Sequence, residues 1–307
     1  MTAADFLRQG ISAQDGCPLA SLSSFRIGGA AEVAVFPETA EQLARSLELI
    51  RAADVPFDVI GNGTDLLLPD GTYCGVLVVT RSMRGVAVEG DCMTALGGTP
   101  LPLLAVTAQA HGLSGLEFAQ GIPGTLGGGV FMNAGAFGGC MADVTEWSEW
   151  YDTESGETGR FCDEAHRFGT RTSIYEQAPR YVLLRAGLRL TRGDPCEIAA
   201  RMEDYRARRA STQPLELPSA GSVFRHPPGA FAGKLIEDLG LKGTRIGGAE
   251  VSRKHAGFIV NQGGATAQDV RDLIDLIRAR VLDGTGYRLE CEVRTVTDRR
   301  SGTYEAL

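Results

Sequence analysis

At 307 residues the chain is long enough for two or three lobes, because single hydrophobic cores stop growing near roughly 250–300 residues. Its hydrophobic share of 43% and charged share of 22% are those of an ordinary globular protein and exclude a disordered or membrane-spanning composition. A net charge of −8 with acids and bases interspersed argues against nucleic acid as the main partner. No apolar run of roughly 18 residues and no apolar leader core occurs, so no membrane association and a cytoplasmic location are expected.

The first predicted helix follows Pro37-Glu38-Thr39, with Thr39 and Gln42 at capping-box spacing, Leu43, Leu47 and Ile50 on one face and Pro56 as its stop. Phe57 to Ile60 and Gly75 to Val79 read as strands around the Gly61-Asn62-Gly63 turn. Gly85 to Gly98 reads as a hairpin, and Leu101 to Ala110 as a helix closed by Gly112. Residues Gly121 to Gly139 are too rich in glycine for regular structure throughout and too apolar for a linker, which predicts a buried loop hugging a ligand.

Farther on, Val182, Leu184, Ala186, Leu188 and Leu190 alternate with Leu183, Arg185, Gly187 and Arg189, predicting a strand with one apolar face. A helix from Cys196 to Arg209, with Ile198, Met202 and Tyr205 on one face, leads into a last lobe near residue 206. There Thr266 and Asp269 cap a helix whose stripe is Val270, Leu273, Ile274, Ile277 and Val281 and whose stop is Gly284. The final strand, Arg288 to Val296, sets Leu289, Cys291, Val293 and Thr295 against Glu290, Glu292 and Arg294. The expected division is 1–80 and 81–205 as two lobes, 206–297 as a further domain, and 298–307 as a tail.

The seven cysteines are odd in number and scattered without C-x-x-C spacing beside only four histidines, so neither a disulfide framework nor a metal site is expected. Glycine, at 40 residues, is well above its usual share of about 7%. The turn Gly61-Asn62-Gly63-Thr64-Asp65-Leu66 follows a strand but has Leu in place of the third fingerprint glycine, which removes a Rossmann site. It leaves a nest of amides able to bind a pyrophosphate. Gly233-Lys234 lacks both the leading Gly, replaced by Pro228, and the Ser or Thr, replaced by Leu235, of a P-loop. Ser222 has no G-x-S-x-G frame, so on spacing alone it is a turn residue.

Several separated segments, SSFRIGG (23–29), VIGNGTDLL (59–67), GLEFAQGIPGTLGGGVFMNAGAFGG (115–139), RTSIY (171–175), PSAGSVFRHP (218–227), AGKLIEDLGLKG (232–243), VSRKHAGFIVN (251–261) and LECEV (289–293), stand in the order of one family. Together they resemble the bacterial UDP-N-acetylenolpyruvoylglucosamine reductases of the shorter type II branch. The resemblance implies an α+β protein: a vanillyl-alcohol-oxidase-type FAD-binding unit of two α/β lobes, then a smaller α+β substrate-binding domain. It implies FAD and NADPH as cofactors and UDP-N-acetylglucosamine enolpyruvate as a small-molecule substrate, handled by a monomer.

By the same resemblance, Gly61, Asn62, Gly63, Thr64, Asp65, Gly121, Ile122, Gly124, Thr125, Gly127, Gly128, Asn133 and Ala134 embrace FAD. Arg171 meets the carboxylate on which enolate charge builds, Ser222 protonates C2, and Glu292 assists the enolate. Glu290 lies on the same strand face, and Glu292 is chosen by its place in LECEV. Arg225, His226 and Lys254 are candidates for the substrate's diphosphate or carboxylate. Two positions depart from the family pattern: Thr170 stands where a Tyr is usual, and Thr64-Asp65 replaces the commoner Ser-Asn. Another flavin oxidoreductase of the same fold, or a catalytically silent nucleotide-sugar binder, are the alternatives; retention of Arg171, Ser222 and Glu292 together argues against the second.

Overall fold

The computed structural model describes residues 1–296 and 305–307, so most of the tail expected over 298–307 lies outside the described residues. The first sheet orders Ser12–Pro18, Ala30–Phe36, Thr72–Val79 and Phe57–Ile60, with the first pair antiparallel and the others parallel. Parallel strands must be covered on both faces. Here the Ala40–Ala53 helix lays Leu43, Leu47 and Ile50 on Val33, Val35, Val76 and Val78, while Ala34, Leu77 and Val79 meet Leu19 and Leu22 behind. Thr39 caps that helix, accepting from the Gln42 amide at 3.1 Å. The chain leaves it at Asp54, in the left-handed region (φ 49°), before Pro56 is reached.

The second sheet, Thr158–Cys162, Thr145–Asp152, Tyr181–Arg189, Cys92–Leu96 and Val86–Glu89, is antiparallel throughout. The expected hairpin is present, turning at Gly90 (φ 62°), and so is the helix Leu101–Ala110. Tyr181–Arg189 departs from the expected one-sided pattern. As the central strand it buries Leu183 as well as Val182 and Leu184, leaving Arg185 and Arg189 exposed. Sheet and helix share a core with Ile198 and Met202 of Pro195–Thr212. This helix runs unbroken through position 206 to Thr212.

The third sheet, Ser219–Ser222, Phe258–Asn261, Ala249–Val251 and Arg245–Ile246, packs against Ala232–Asp238 and Ala267–Thr285. Thr266 and Asp269 exchange the reciprocal capping bonds, each 3.0 Å. The long helix ends at Gly286 (φ 77°) rather than at Gly284, which lies inside its last turn. The left-handed closing position is what fixes the stop, and two glycines so close together are indistinguishable in sequence.

The final segment corrects the strand expected over Arg288–Val296. Leu289, Cys291 and Val293 are buried and Glu290 exposed, as the alternation requires, yet a regular ladder forms only at Arg294–Thr295, parallel to Leu66–Leu67. The segment leaves one sheet for another, and its bonds go to successive partners. The Arg225 amide donates to the Glu290 carbonyl at 2.9 Å, the Glu292 amide to Val223 at 2.8 Å, and the Arg294 amide to Asp65 at 3.1 Å. From the other direction Phe25, Ile27 and Leu67 insert into the third core. Buried Asn261 fastens this insertion, donating to the Phe25 carbonyl at 3.1 Å and accepting from the Gly263 and Ala265 amides at 2.9 and 3.2 Å. Asn261→Ala strands those groups, and we expect it to lower the unfolding free energy by about 1–3 kcal/mol, read as a lower urea midpoint at unchanged slope.

Candidate active site

Where the three sheets converge lies a cavity of about 560 Å³, walled by the 61–66 turn, the 121–129 segment, Arg171, Tyr175, Ser222 and Glu292. The Gly-rich segment is only partly the loop expected: Leu126–Phe131 is a short helix begun by Thr125, whose hydroxyl accepts from the Gly128 amide. Packing explains some of its glycines. A Cβ at Gly61 would lie 2.3 Å from Thr125 Oγ1, and one at Gly63 (φ 63°) would lie 1.9 Å from the Leu22 carbonyl oxygen. Gly124 and Gly128 are different. Neither has a positive φ, and a methyl at either would meet no protein atom closer than 3.7 Å, so what it would obstruct is the cavity itself.

Arg171, Ser222 and Glu292 come together on this wall although they are far apart in sequence. Ser222 ends the Ser219–Ser222 strand, and the next carbonyl, Val223, accepts from the Glu292 amide. Backbone pairing therefore sets Ser222 beside Glu292. The Glu292 carboxylate receives Arg171 Nε at 2.7 Å. Glu290, the competing acid, is exposed and contributes its carbonyl to Arg225 instead.

The Arg171 loop is itself tied down. Arg171 is left-handed (φ 59°), as is Asn133 (φ 47°), conformations that non-glycine residues hold only when their surroundings impose them. Asn133 does not line the cavity. Its amide donates to the Gly169 carbonyl at 3.0 Å and its oxygen accepts from the Ala142 amide at 2.9 Å, which braces the loop. Thr172 donates to Glu176 at 2.7 Å, and Glu176 in turn pairs with Arg294 at 3.1 Å. Two ion pairs thus join the 171–176 and 292–294 segments.

Behind Tyr175 runs a buried chain. The Tyr175 hydroxyl meets Ser148 Oγ at 2.7 Å, Ser148 meets His166 Nε2 at 2.8 Å, and His166 Nδ1 lies 3.0 Å from the Asp163 carbonyl. Burial holds the phenol well above its ordinary range and pushes the imidazole below its own, against the pull of the Asp163 carbonyl. Asp65, half-buried on the cavity wall, has its carboxyl pushed well above the usual range, first by burial and then by Glu292.

The expected cations separate. His226 lines the cavity, with the Ala232 amide donating to its Nδ1 at 3.4 Å. Arg225 is half-buried outside the lining, its Nε enclosed without a partner among the described residues. Lys254 points away, donating to the Ala210 carbonyl at 2.6 Å. Sequence reasoning missed Arg209, which does line the cavity, its Nε buried without a partner among the described residues. A signal existed: Arg209 extends the Ile198, Met202, Tyr205 stripe by one further turn, an unexpected place for a cation.

Comparison with known proteins matches residues 213–296 to the C-terminal domain of UDP-N-acetylenolpyruvoylglucosamine reductase and residues 31–160 to an FAD binding domain. The UDP-N-acetylenolpyruvoylglucosamine reductase of Alkaliphilus oremlandii is 46% identical over 280 residues, 91% of each chain. That of Caldanaerobacter subterraneus subsp. tengcongensis is 44% identical over 282 residues, 92% of this chain and 93% of its own. The crystal structure of the UDP-N-acetylenolpyruvylglucosamine reductase of Thermus caldophilus superposes with a TM-score of 0.79 at 35% identity, covering 94% of this chain and 99% of that one.

The buried imidazole gives this region a pH signature. Burial makes His166 harder to protonate in the native state, whereas the unfolded imidazole takes a proton near pH 6.5. The unfolded state therefore binds more protons just below that value, and stability falls as pH drops through it. We expect His166→Gln to make this acid slope shallower in denaturation measured between about pH 5 and 7.5, with the slope not lost entirely because burial also depresses His255.

Proposed function

The chain belongs to the family of UDP-N-acetylenolpyruvoylglucosamine reductases, and on that premise we propose which of its residues carry out the reduction and how. It is an FAD-dependent oxidoreductase of peptidoglycan precursor synthesis, with UDP-N-acetylmuramate dehydrogenase activity. One observation supports the residue assignment above the rest. Arg171, Ser222 and Glu292 converge on a single cavity whose wall includes glycines that the protein itself does not require.

The residues present fit FAD. Gly61–Asp65 and Gly121–Gly128, with Ala134, form a wall of exposed backbone beside the cavity, and at Gly124 and Gly128 there is room for a flat cofactor where side chains would intrude. Bound there, FAD supplies a two-electron carrier between NADPH, the reductant on this reading, and the enolpyruvyl double bond. Asn133 acts one step back, bracing the Arg171 loop.

Saturating that double bond takes one hydride equivalent at C3 and one proton at C2, and negative charge builds toward the substrate carboxylate meanwhile. Arg171 receives that charge through the N–H groups that its Nε pairing with Glu292 leaves over. Its fork is fixed in direction, as Lys would not be. Ser222 Oγ–H gives the proton to C2, a task that requires a positioned donor rather than an activated nucleophile. Glu292 orients Arg171 and assists enolate formation. His226 and Arg209 on the lining are the cations placed to meet substrate or cofactor phosphates, whereas Lys254 is turned away. The same reading makes the protein a cytoplasmic monomer acting on a small nucleotide sugar, with neither nucleic acid nor membrane as partner.

The test is optical. Purified protein should show flavin bands that bleach anaerobically with NADPH and return on addition of UDP-N-acetylglucosamine enolpyruvate; bands restored only by oxygen would defeat the substrate assignment. Gly128→Ala should purify with little flavin, yet melt at the temperature of flavin-free wild type, since its methyl meets no protein atom closer than 3.7 Å and only the stabilisation by bound cofactor is lost. Ser222→Ala should leave flavin bleaching by NADPH nearly intact and slow its return with substrate by at least about a hundredfold, the usual scale for losing a positioned proton donor.

A further inference from the structure

Asp65 occupies a position that leaves its charge unexplained. Its backbone is left-handed (φ 59°) and fixed from both sides: its amide donates to the Ala220 carbonyl at 3.1 Å, and its carbonyl accepts from the Arg294 amide at 3.1 Å. The residue is thereby committed to the cavity wall that Glu292 shares. Two of the cations nearby are engaged with other acids. Arg171 Nε lies 2.7 Å from Glu292, and Arg294 Nη2 lies 3.1 Å from Glu176. Arg225 stands outside the lining, and among the described residues no ion pair reaches Asp65.

A second carboxylate on this wall would face a substrate that brings a carboxylate and a diphosphate of its own, an inference resting on the reading of the substrate given above. Like charges in one partly dry site cannot all remain ionised. We propose that Asp65 works as a neutral carboxylic acid, a specificity-determining residue whose ionisation at higher pH adds a second negative charge beside Glu292 and shuts the site to its anionic substrate.

The groups facing Asp65 agree with this. Glu292 raises its carboxyl after burial does, Arg294, Arg171 and Arg225 pull the other way, and the remaining titratable neighbours are the buried Cys291 thiol and, across the cavity, His226 and His255. The sign also predicts a stability effect. The native acid keeps a proton that the unfolded chain releases above about pH 3.9. The wild type therefore loses stability as pH rises from there toward the raised value, and Asp65→Asn, neutral throughout, does not.

The experiment compares FAD-loaded wild type with Asp65→Asn, and with Asp65→Ser should the first load poorly. In infrared spectra followed through a pH titration the wild type should show a protonated-carboxyl stretch that the variants lack and that persists above the ordinary carboxylate range before vanishing. KM for the enolpyruvyl nucleotide should climb about tenfold per pH unit above that transition, the slope that a single ionisation blocking binding produces, and the variants' KM should lack that climb. A wild-type spectrum in which no acid band depends on Asp65, or a KM profile that the substitutions leave unchanged, overturns the proposal. Flavin loading without turnover of this nucleotide would strike the substrate reading instead, and the infrared band would still decide the protonation state.

Discussion

The site depends on one constraint: the segment 290–295 must run from the third sheet to the Asp65 turn, across a junction that Phe25, Ile27 and Leu67 also help to close. Its backbone bonds pass from the 223–225 segment at Glu290 and Glu292 to the Asp65 turn at Arg294, and its side chains carry two ion pairs to the 171–176 loop, Arg171 with Glu292 and Arg294 with Glu176. Arg294 is 9% exposed in its side chain and Glu176 26%, so removing Glu176 would strand an enclosed guanidinium charge. Such pairs add little net stability but fix one geometry among several, and here the geometry fixed is that of the reacting groups.

Around that clamp the glycines divide by physical cause. At Gly63 the chain forbids a side chain through a carbonyl that a Cβ would strike, and the positive φ adds to the prohibition. At Gly124 and Gly128 the chain would accept one. A high glycine content is therefore two signals laid over each other, one about how tightly the lobes fit and one about what must fit between them. Only the second speaks of function, and only structure separates them.

What could be read from sequence follows the range of the forces involved. Local rules located the Thr39 and Thr266 caps, the hairpin around Gly90 and the helix Leu101–Ala110, because their determinants lie within a few residues of each other. Choosing Gly284 over Gly286 failed because the left-handed stop is a property of one dihedral angle, not of residue type. The regular strand expected over Arg288–Val296 failed because its partners lie in two different sheets. For the site, the order of matching segments pointed to Arg171, Ser222 and Glu292. It could not show that Asn133 is a brace, that Lys254 turns to the Ala210 carbonyl, or that Arg209 enters the cavity from a helix belonging to another core. Those are facts of side-chain direction, which long-range packing decides.

The insertion of Phe25, Ile27 and Leu67 into the core built by residues 220–293 also sets a schedule. During synthesis these apolar side chains emerge first and must wait for partners roughly two hundred residues behind them, about ten to forty seconds at ordinary elongation rates of about 5–20 residues per second. For that interval the nascent chain displays sticky surface that nothing of its own can cover, and its most sequence-distant contacts close last. The reacting groups inherit this timing. Glu292 is synthesised after Arg171 and Ser222, so a chain stalled before it lacks one of the three reacting groups.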